Sequence, residues 1–487
     1  MRLPPKPRPA DPLAKLLVSQ PVYRSLAATL VPHGDAVPLA VMVRGTLEWL
    51  LDEELLEQLL PEHAPDQYTR ELTLNTLVRL LIQVAAGTHR SVHAAYQADQ
   101  ALGEPTISTS FQAVYGKLGR LQPALSEAVV RVGAERCQRL LTLQPDAHVE
   151  PRPGYRTRIL DGNVLAGTEH RLTPLRRWLN ACLPGKSLVV YEPGVRLVTD
   201  VVLCEDAYTQ ERALLTQLLP RVRARDLFIA DRNFCTTRFV FGIDAAQAAL
   251  LVRQHRSNLP CQALEPLRPA GTTPTGAVYE QRVQVADPDS GATLTLRRLE
   301  VRLHQPTRDG DDTLALLTNL PATVAAVELA ETYRTRWTIE QHFQFLTQSL
   351  KCELPGLGRP RAALFGFAMA LLAANALAVV RGGIRSAQGA EAEAELSGYY
   401  LADEIAHDYR ALMKYVPAGH WQSWGALSAA ELAALLCTLA AHVNLKGLMR
   451  RRRGPKKPPK DKPAYDPKHK HYSTARLLKG LEQDDSC

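Results

Sequence analysis

The spacing of apolar residues predicts a helical N-terminal region. From position 37 to about position 143 apolar residues recur at helical intervals, most clearly in two stripes. These stripes are Leu47-Leu50-Leu51-Leu55 and Leu74-Leu77-Leu81-Val84. Residues 36–150 are therefore predicted to form a helical domain, preceded by a Pro-rich segment at 1–35.

One short helix in this region has basic residues. The stretch 108–121, which follows the turn-like Gly103-Glu104-Pro105, predicts a helix with Lys117 and Arg120 on its exposed side. A helix-turn-helix that reads DNA is one interpretation. An ordinary helical bundle has the same pattern, so both interpretations stay open.

After a Pro-rich linker at 145–154 the pattern changes to strands. Short runs of β-branched and apolar residues are separated by glycines, and one run, Asp226-Leu-Phe-Ile-Ala230, is continuously apolar as in a buried parallel strand. The predicted order is three strands, a helix, a strand, a helix and a strand. These elements cover 157–160, 187–191, 196–203, 210–219, 226–230, 235–247 and 248–252.

A β-rich stretch and a second helical region complete the pattern. Residues 253–322 alternate or run β-rich between turns with Pro and Gly, which predicts an insertion. Beyond Pro355 the chain is predicted to be helical to about Leu448. Its segment 362–380 is apolar enough to be weighed as a membrane span, but it is Ala-rich, contains Gly366 and Asn375, and barely reaches the required length. A buried helix is the favoured interpretation.

The stretch from Tyr333 to Lys351 predicts an amphipathic helix with a polar edge. Its apolar stripe contains Ile339, Phe343, Leu346 and Leu350. A neighbouring polar stripe contains Tyr333, Arg336, Glu340, Gln344, Thr347 and Lys351. A solvated helix face with an ordinary Arg336–Glu340 pair explains this pattern as well as a functional edge does.

Charge and cysteine content narrow the class of protein. The 487 residues have a net charge of +8, and the charge is uneven, because Arg450, Arg451, Arg452 and Arg453 begin a basic tail that extends to residue 487. Such a tail is either a solvated end or a nucleic-acid contact. The eight cysteines are scattered and form no CxxC pair, which argues against zinc sites and disulfides and favours a reducing cytoplasm.

Two further carboxylates end predicted strands. Asp161 follows Arg158-Ile-Leu160 and precedes Gly162-Asn163, while Asp231 follows the buried run 226–230 and precedes Arg232-Asn233-Phe234. Each alone is typical of a turn or a helix cap.

The three acidic positions together resemble a known enzyme family. Tyr333, two residues, Arg336-Trp337, two residues and Glu340 resemble the Y-R-E-K signature of bacterial insertion-sequence transposases of the IS-four family. Asp161-Gly-Asn and Asp231-Arg-Asn-Phe resemble its first two catalytic motifs, and the β-rich insertion lies where that family has one. The family's Lys is replaced by Thr347, with Lys351 one turn further as a substitute.

This resemblance implies a fold and an arrangement of domains. It implies an RNase H-like mixed α/β sheet with a β-rich insertion at about 253–322, a catalytic domain at 155–380, a helical region at 381–449 and a tail at 450–487. The 36–150 domain would bind the DNA ends. Strands one and four would lie side by side and bring Asp161 and Asp231 within reach of one cation.

The resemblance also implies DDE chemistry. Asp161, Asp231 and Glu340 would be catalytic and would bind Mg²⁺, or Mn²⁺ in its place, as two ions. Arg336, Tyr333, Lys351 and Thr347 would contact DNA phosphates. Trp337 would stack on a base, although a core position is favoured over that role. His342 is predicted to be structural.

Two functions follow from the resemblance. The first is a bacterial transposase that cuts and joins element ends, acting as a homodimer on double-stranded element and target DNA, in the cytoplasm and on the nucleoid, with no membrane. The alternative is a catalytically inactive DNA-binding regulator derived from a transposase.

Overall fold

A computed structural model describes residues 37–451, except positions 68–70, 103, 166–182, 256, 308–309, 355 and 418. The Pro-rich segment 1–35 and the tail beyond Arg451 lie outside the described residues. Residues up to Met449 belong to one compact unit, and the tail from Arg450 onwards is a second.

The described residues contain one mixed sheet of ten strands. The strands are β1 (Arg156–Leu165), β2 (Gly185–Glu192), β3 (Leu197–Cys204), β4 (Asp226–Ala230), β5 (Ala249–Arg253), β6 (Gln262–Ala263), β7 (Arg268–Thr273), β8 (Gly276–Ala286), β9 (Thr293–Leu303) and β10 (Thr313–Thr318). Their spatial order is β3-β2-β1-β4-β5-β10-β9-β8-β6, with β7 paired to β8. β1, β4 and β5 are parallel neighbours, and the other pairings are antiparallel.

Helices precede, cover and follow this sheet. They are α1 (Pro38–Leu50), α2 (Glu53–Glu57), α3 (Leu59–His63), α4 (Leu74–Ala85), α5 (Val92–Gln100), α6 (Phe111–Leu118), α7 (Pro123–Leu143), α8 (Leu215–Leu218), α9 (Thr237–Ala245), α10 (Ala326–Arg334), α11 (Trp337–Gln348), α12 (Pro360–Gln388), α13 (Ala390–Ala394), α14 (Gly398–Tyr415), α15 (Gly419–Gly425) and α16 (Ala429–Ala441). Short 3₁₀ turns cover Glu211–Leu214, Leu219–Arg221, Arg232–Phe234 and Leu445–Gly447.

α12 is the central helix of the unit. Residues 362–384 are all buried, and the helix packs against α7, α16, α4 and β3. It is long and apolar enough to span a membrane by composition, but its most apolar window is entirely covered by the rest of the protein. Asn375, fully buried, donates from Nδ2 to Val198 O and accepts from Val198 N, each at 2.8 Å. The prediction of a buried helix here is confirmed.

The predicted order of the strands β1 to β5 is confirmed, as are the helix before β5 and the adjacency of the first and fourth strands. The helix predicted at 210–219 is instead a series of short 3₁₀ and α turns. The β-rich stretch is continuous with the main sheet, because β10 pairs with β5 and β9 with β10.

The predicted exposure of one basic residue is wrong. Lys117, on α6, is buried, and its ammonium group donates to Leu72 O. Lys117 therefore packs within the helical region instead of facing solvent, and this burial lowers the pKa of its ammonium group. The helix-turn-helix interpretation therefore loses one of its two basic side chains.

Candidate active site

The sheet register brings two of the three predicted carboxylates to the same level. Leu160 of β1 is the partner of Ala230 of β4, so Asp161 and Asp231 follow at equivalent points on adjacent parallel strands. β4 ends there, and Asp231 caps the next 3₁₀ turn by accepting from Asn233 N at 2.8 Å. Parallel pairing therefore produces the predicted neighbourhood.

The third carboxylate stands on α11, which begins just after α10. The junction is tightened by i→i+3 bonds, such as Arg336 N to Tyr333 O at 3.0 Å. Thr335 and Thr338 donate their hydroxyls back to carbonyls three residues earlier. The predicted continuous helix from Tyr333 to Lys351 is therefore wrong, because a turn at Thr335 and Arg336 separates α10 from α11, and α11 ends at Gln348.

Arg336 lies between two of the carboxylates. Its guanidinium is 2.7 Å from Glu340 Oε1 and 3.5 Å from Asp161 Oδ2. The Arg336–Glu340 pair was predicted from the i,i+4 spacing, but the contact to Asp161, 175 residues earlier, joins the helix to the sheet. A positive charge thus occupies the space between Asp161 and Glu340, where a bound cation would be stabilised by the same oxygens.

The environment of Asp161 is strongly negative and partly closed to water. The pKa of Asp161 is raised to about 7, mainly by burial and to a lesser degree by Asp231 and Glu211, while Arg336 and the Gly162 amide act in the opposite direction. The sheet register that places Asp161 beside Asp231 accounts for the repulsion between these two carboxylates. Such repulsion favours a cation among them.

Glu211 is a fourth carboxylate that the sequence analysis missed. It begins the 3₁₀ turn after β3, and a Cβ at position 162 would overlap its carboxylate, so Gly162 is required for this approach. Asn233 Nδ2 donates to Glu211 Oε2 at 2.7 Å. Because Asn233 also contacts Asp231 through its backbone amide, it connects two of the acidic residues. In the sequence nothing distinguishes Glu211 from the nearby Glu205.

Tyr333 is buried and Trp337 is exposed, the reverse of what the sequence predicts, which placed Tyr333 on the polar stripe and Trp337 in the core. Tyr333 is 6% exposed, and burial raises its pKa to about 12, with Asp231 acting in the same direction and Arg336 against it. Trp337 is 60% exposed, with Arg336 Cζ 5.4 Å from its ring centroid. The favoured core position of Trp337 is therefore wrong. The junction between α10 and α11 turns Tyr333 inward and leaves the indole on the surface beside the site.

The residues expected to replace the family's lysine lie elsewhere. Thr347 is exposed and donates its hydroxyl to Phe343 O at 2.5 Å. α11 ends at Gln348, so Lys351 is beyond the helix, and its ammonium group donates to His89 O at 3.0 Å. Since the backbone amide of Lys351 also donates to Ala85 O, both of its bonds are directed toward the end of α4. The prediction that Lys351 shares the face of Arg336 is wrong.

Two further predictions concern residues outside the carboxylate site, His342 and the basic tail. His342 is buried, burial lowers its pKa to about 3, and its ring lies 4.6 Å from that of Tyr191, which agrees with a structural role. Of the basic tail, Arg450 and Arg451 are described, whereas Arg452 and Arg453 lie outside the described residues.

The donor set is suited to a hard divalent cation. Asp161, Asp231, Glu340 and Glu211 offer carboxylate oxygens, and no thiol or imidazole is among these four side chains. That Arg336 already lies against two of them shows that the arrangement accepts a positive charge. The residues therefore fit Mg²⁺ or Mn²⁺.

Comparison with known proteins agrees with this geometry. Residues 152–375 match the family model of the transposase DDE domain. This segment, slightly under half of the chain, contains Asp161, Asp231 and Glu340, and the match supports a DDE transposase.

A cryo-EM structure of the piggyBac transposase synaptic complex with hairpin DNA is similar at 10% identity, with 82% of each chain covered and a TM-score of 0.37. No curated protein matches the chain.

Proposed function

We propose that this protein is the transposase of a bacterial insertion sequence, of the IS-four family, and that it cuts and joins DNA at the ends of its element. The observation that carries the proposal is the convergence of Asp161, Asp231 and Glu340 on one edge of the sheet, within a segment that matches the transposase DDE domain. The β3-β2-β1-β4-β5 order supports an RNase H-like fold for this segment.

The proposed chemistry is phosphodiester hydrolysis followed by transesterification. Asp161, Asp231 and Glu340 would hold two Mg²⁺ ions, or Mn²⁺ in their place, with Glu211 as an additional oxygen ligand. Bound Mg²⁺ activates the attacking oxygen and stabilises the leaving oxygen. The attacking group would be water for strand cleavage and a DNA 3′-hydroxyl for joining.

Arg336 would exchange partners during this cycle. In the structure, it pairs with Asp161 and Glu340. When cations and DNA are bound, its guanidinium would be free to pair bidentately with a phosphate next to the cleaved bond. Tyr333, buried beside it, would limit its motion. The exposed indole of Trp337 would offer a stacking surface for an unpaired base.

The proposed partners are double-stranded element ends and target DNA. The helices between residues 36 and 150 would bind element ends, the tail from residue 450 would add phosphate contacts, and two copies of the chain would join two ends. The protein would work in the bacterial cytoplasm, on the nucleoid.

A plasmid excision assay tests the proposal. The plasmid carries a marker between the DNA sequences that flank the coding region, and excision is measured with the wild-type chain and with Glu340→Gln. Excision by the wild type alone is the expected result. End-DNA binding without excision by either protein would instead favour the alternative function, a DNA-binding regulator without catalytic activity.

A further inference from the structure

A second group of potential metal ligands lies where the helical region joins the sheet. His148 and Glu150 are in the segment between α7 and β1, and Glu192 is the last residue of β2. His148 Nε2 is 3.2 Å from Glu150 Oε1 and 3.6 Å from Glu192 Oε1. We call these three residues the linker cluster. All three ligand atoms lie within 4.8 Å of one another.

The linker cluster is separate from the candidate active site. On β2, Val189 is the partner of Asp161, and Glu192 is three residues further along the strand, about 10 Å away at the usual rise. Glu192 also lies toward the N-terminal end of β1, because its neighbour Tyr191 pairs with Ile159, whereas Asp161 follows the last β1 residue that pairs with β4. A cation at the linker cluster would therefore not be one of the proposed catalytic ions.

The backbone holds the linker cluster together. Val149 N donates to Gly194 O at 3.4 Å, which fixes the linker against the turn after β2. A Cβ at position 194 would overlap the Val149 carbonyl, so only glycine permits this contact. His148 and Glu150 on either side of Val149 are thereby held near Glu192.

Buried oxygen atoms in the linker cluster lack donors. The Glu192 side chain is 1% exposed, and Arg158 binds only its Oε2. Glu192 Oε1 and Glu150 Oε2 are buried without a hydrogen-bond partner, and so is the hydroxyl of neighbouring Thr157. His148 Nε2, at 3.6 Å from Glu192 Oε1, is beyond hydrogen-bond distance. Leaving a buried carboxylate oxygen without a donor is costly, so this arrangement points to a missing cation.

We infer that His148, Glu150 and Glu192 bind a first-row divalent metal ion of the Zn²⁺ type. Zn²⁺ bonds of about 2.0–2.1 Å in tetrahedral geometry place ligand atoms roughly 3.3 Å apart, and the two separations at His148 are 3.2 and 3.6 Å. One imidazole and two carboxylates suit such an ion. His148 is 39% exposed, which leaves a side open to water as a fourth ligand.

The ion would fasten the linker to the sheet. Both linker ligands lie within the few residues that connect α7 to β1, and the third belongs to β2. Metal binding would therefore hold this connection independently of DNA cleavage. The competing occupant is a proton on His148, because only neutral imidazole binds a metal, so binding is measured above the usual imidazole pKa.

Cobalt(II) titration of the full-length chain tests the inference. Co²⁺ replaces Zn²⁺ and is followed by visible absorption, with excess Mg²⁺ present to occupy the carboxylate site. One equivalent of Co²⁺ is expected to bind to the wild type and to give a visible absorption band. His148→Ala and Glu150→Gln are each expected to weaken this binding at least about tenfold. Asp161→Asn should retain it, which separates the linker cluster from the active site.

A matched control and a second readout complete the design. His63→Ala removes a histidine that contacts one carboxylate, Glu62 at 3.7 Å, and should leave Co²⁺ binding unchanged. Zn²⁺ should also slow chymotryptic cleavage after Tyr155, in the same linker, in the wild type but not in His148→Ala. Equal Co²⁺ binding by the wild type and both ligand variants, or no band at all, would overturn the inference and identify the linker cluster as a protonated histidine between two carboxylates.

Discussion

Arg336 shows how one side chain connects the helix with the sheet. Its i,i+4 contact to Glu340 is local, whereas its contact to Asp161 depends on how α11 packs against β1. The resemblance predicts that Arg336 contacts a DNA phosphate. In the structure its guanidinium contacts two carboxylates instead and offsets their negative charge.

Glu211 is expected to contribute to metal binding. Its carboxylate lies over Gly162 and is connected to Asp231 through Asn233. Removing its charge with Glu211→Gln should raise the Mg²⁺ concentration for half-maximal DNA cleavage about tenfold, or about 1.4 kcal/mol. The matched control is Glu205→Gln, an exposed residue paired with Arg361. Equal Mg²⁺ dependence in both variants would exclude Glu211 from the site.

Lys351 is expected to matter for stability. Its ammonium group is half-buried and bonded to His89 O, away from the carboxylates. Lys351→Ala should lower the free energy of unfolding by about 1 kcal/mol, as for one lost hydrogen bond, without weakening end-DNA binding. Denaturant unfolding and a DNA-binding assay measure the two effects. The exposed Lys446 provides a control, and a selective loss of DNA affinity in Lys351→Ala would restore the original phosphate role.

At the scale of elements, α12 protects an edge of the sheet. β3 is an end strand, and Asn375 of α12 satisfies both backbone groups of Val198. Asn375→Leu keeps the volume but leaves those groups without partners, so it should cost about 2–4 kcal/mol in unfolding free energy. The volume-conserving Leu371→Met, in the same buried helix, should cost less than about 1.5 kcal/mol. Similar losses in the two variants would mean that packing, and not the amide, sets the cost.

Some helices and strands could be predicted from the sequence pattern, and others could not. The order β1 to β5 was predictable because β4 and β5 are short, continuous apolar runs and glycines fall between the first three strand patterns, and the two aspartates follow apolar runs directly. The break between α10 and α11 was not predictable from the sequence, because the threonine hydroxyls that stabilise it are also compatible with a continuous helix. Glu211 was missed because its position depends on the turn after β3, which periodicity does not describe.

At the scale of the whole molecule, the central sheet and α12 form one unit with the N-terminal helices. Residues from Leu39 to Leu448 contribute to a single apolar cluster, so the helical regions are packed around α12 and not separated from it. A second cluster fills the other face of the sheet, between β1, β4, β5 and α9. This packing explains why the segment at 362–380 resembled a membrane span.

The basic tail gives a prediction at this scale. Deleting residues 450–487 keeps the bridge between Leu396 and Met449, so the preceding unit should fold. DNA binding should weaken and its salt dependence should flatten, since each lost phosphate contact removes roughly one unit from the slope. The slope is measured as log K against log salt concentration. An unchanged slope would show that the tail is a solvated end.

The most direct measurement of the central claim is Mg²⁺-dependent cleavage of end DNA by three single variants. Asp161→Asn, Asp231→Asn and Glu340→Gln each remove one proposed metal ligand, and Asp403→Asn, at an exposed position on α14, is the control. The control should cleave like the wild type, while the three variants should bind end DNA without cleaving it. Cleavage at the wild-type rate by any one of the three would contradict the assignment of that residue, and cleavage by all three would contradict the proposed active site.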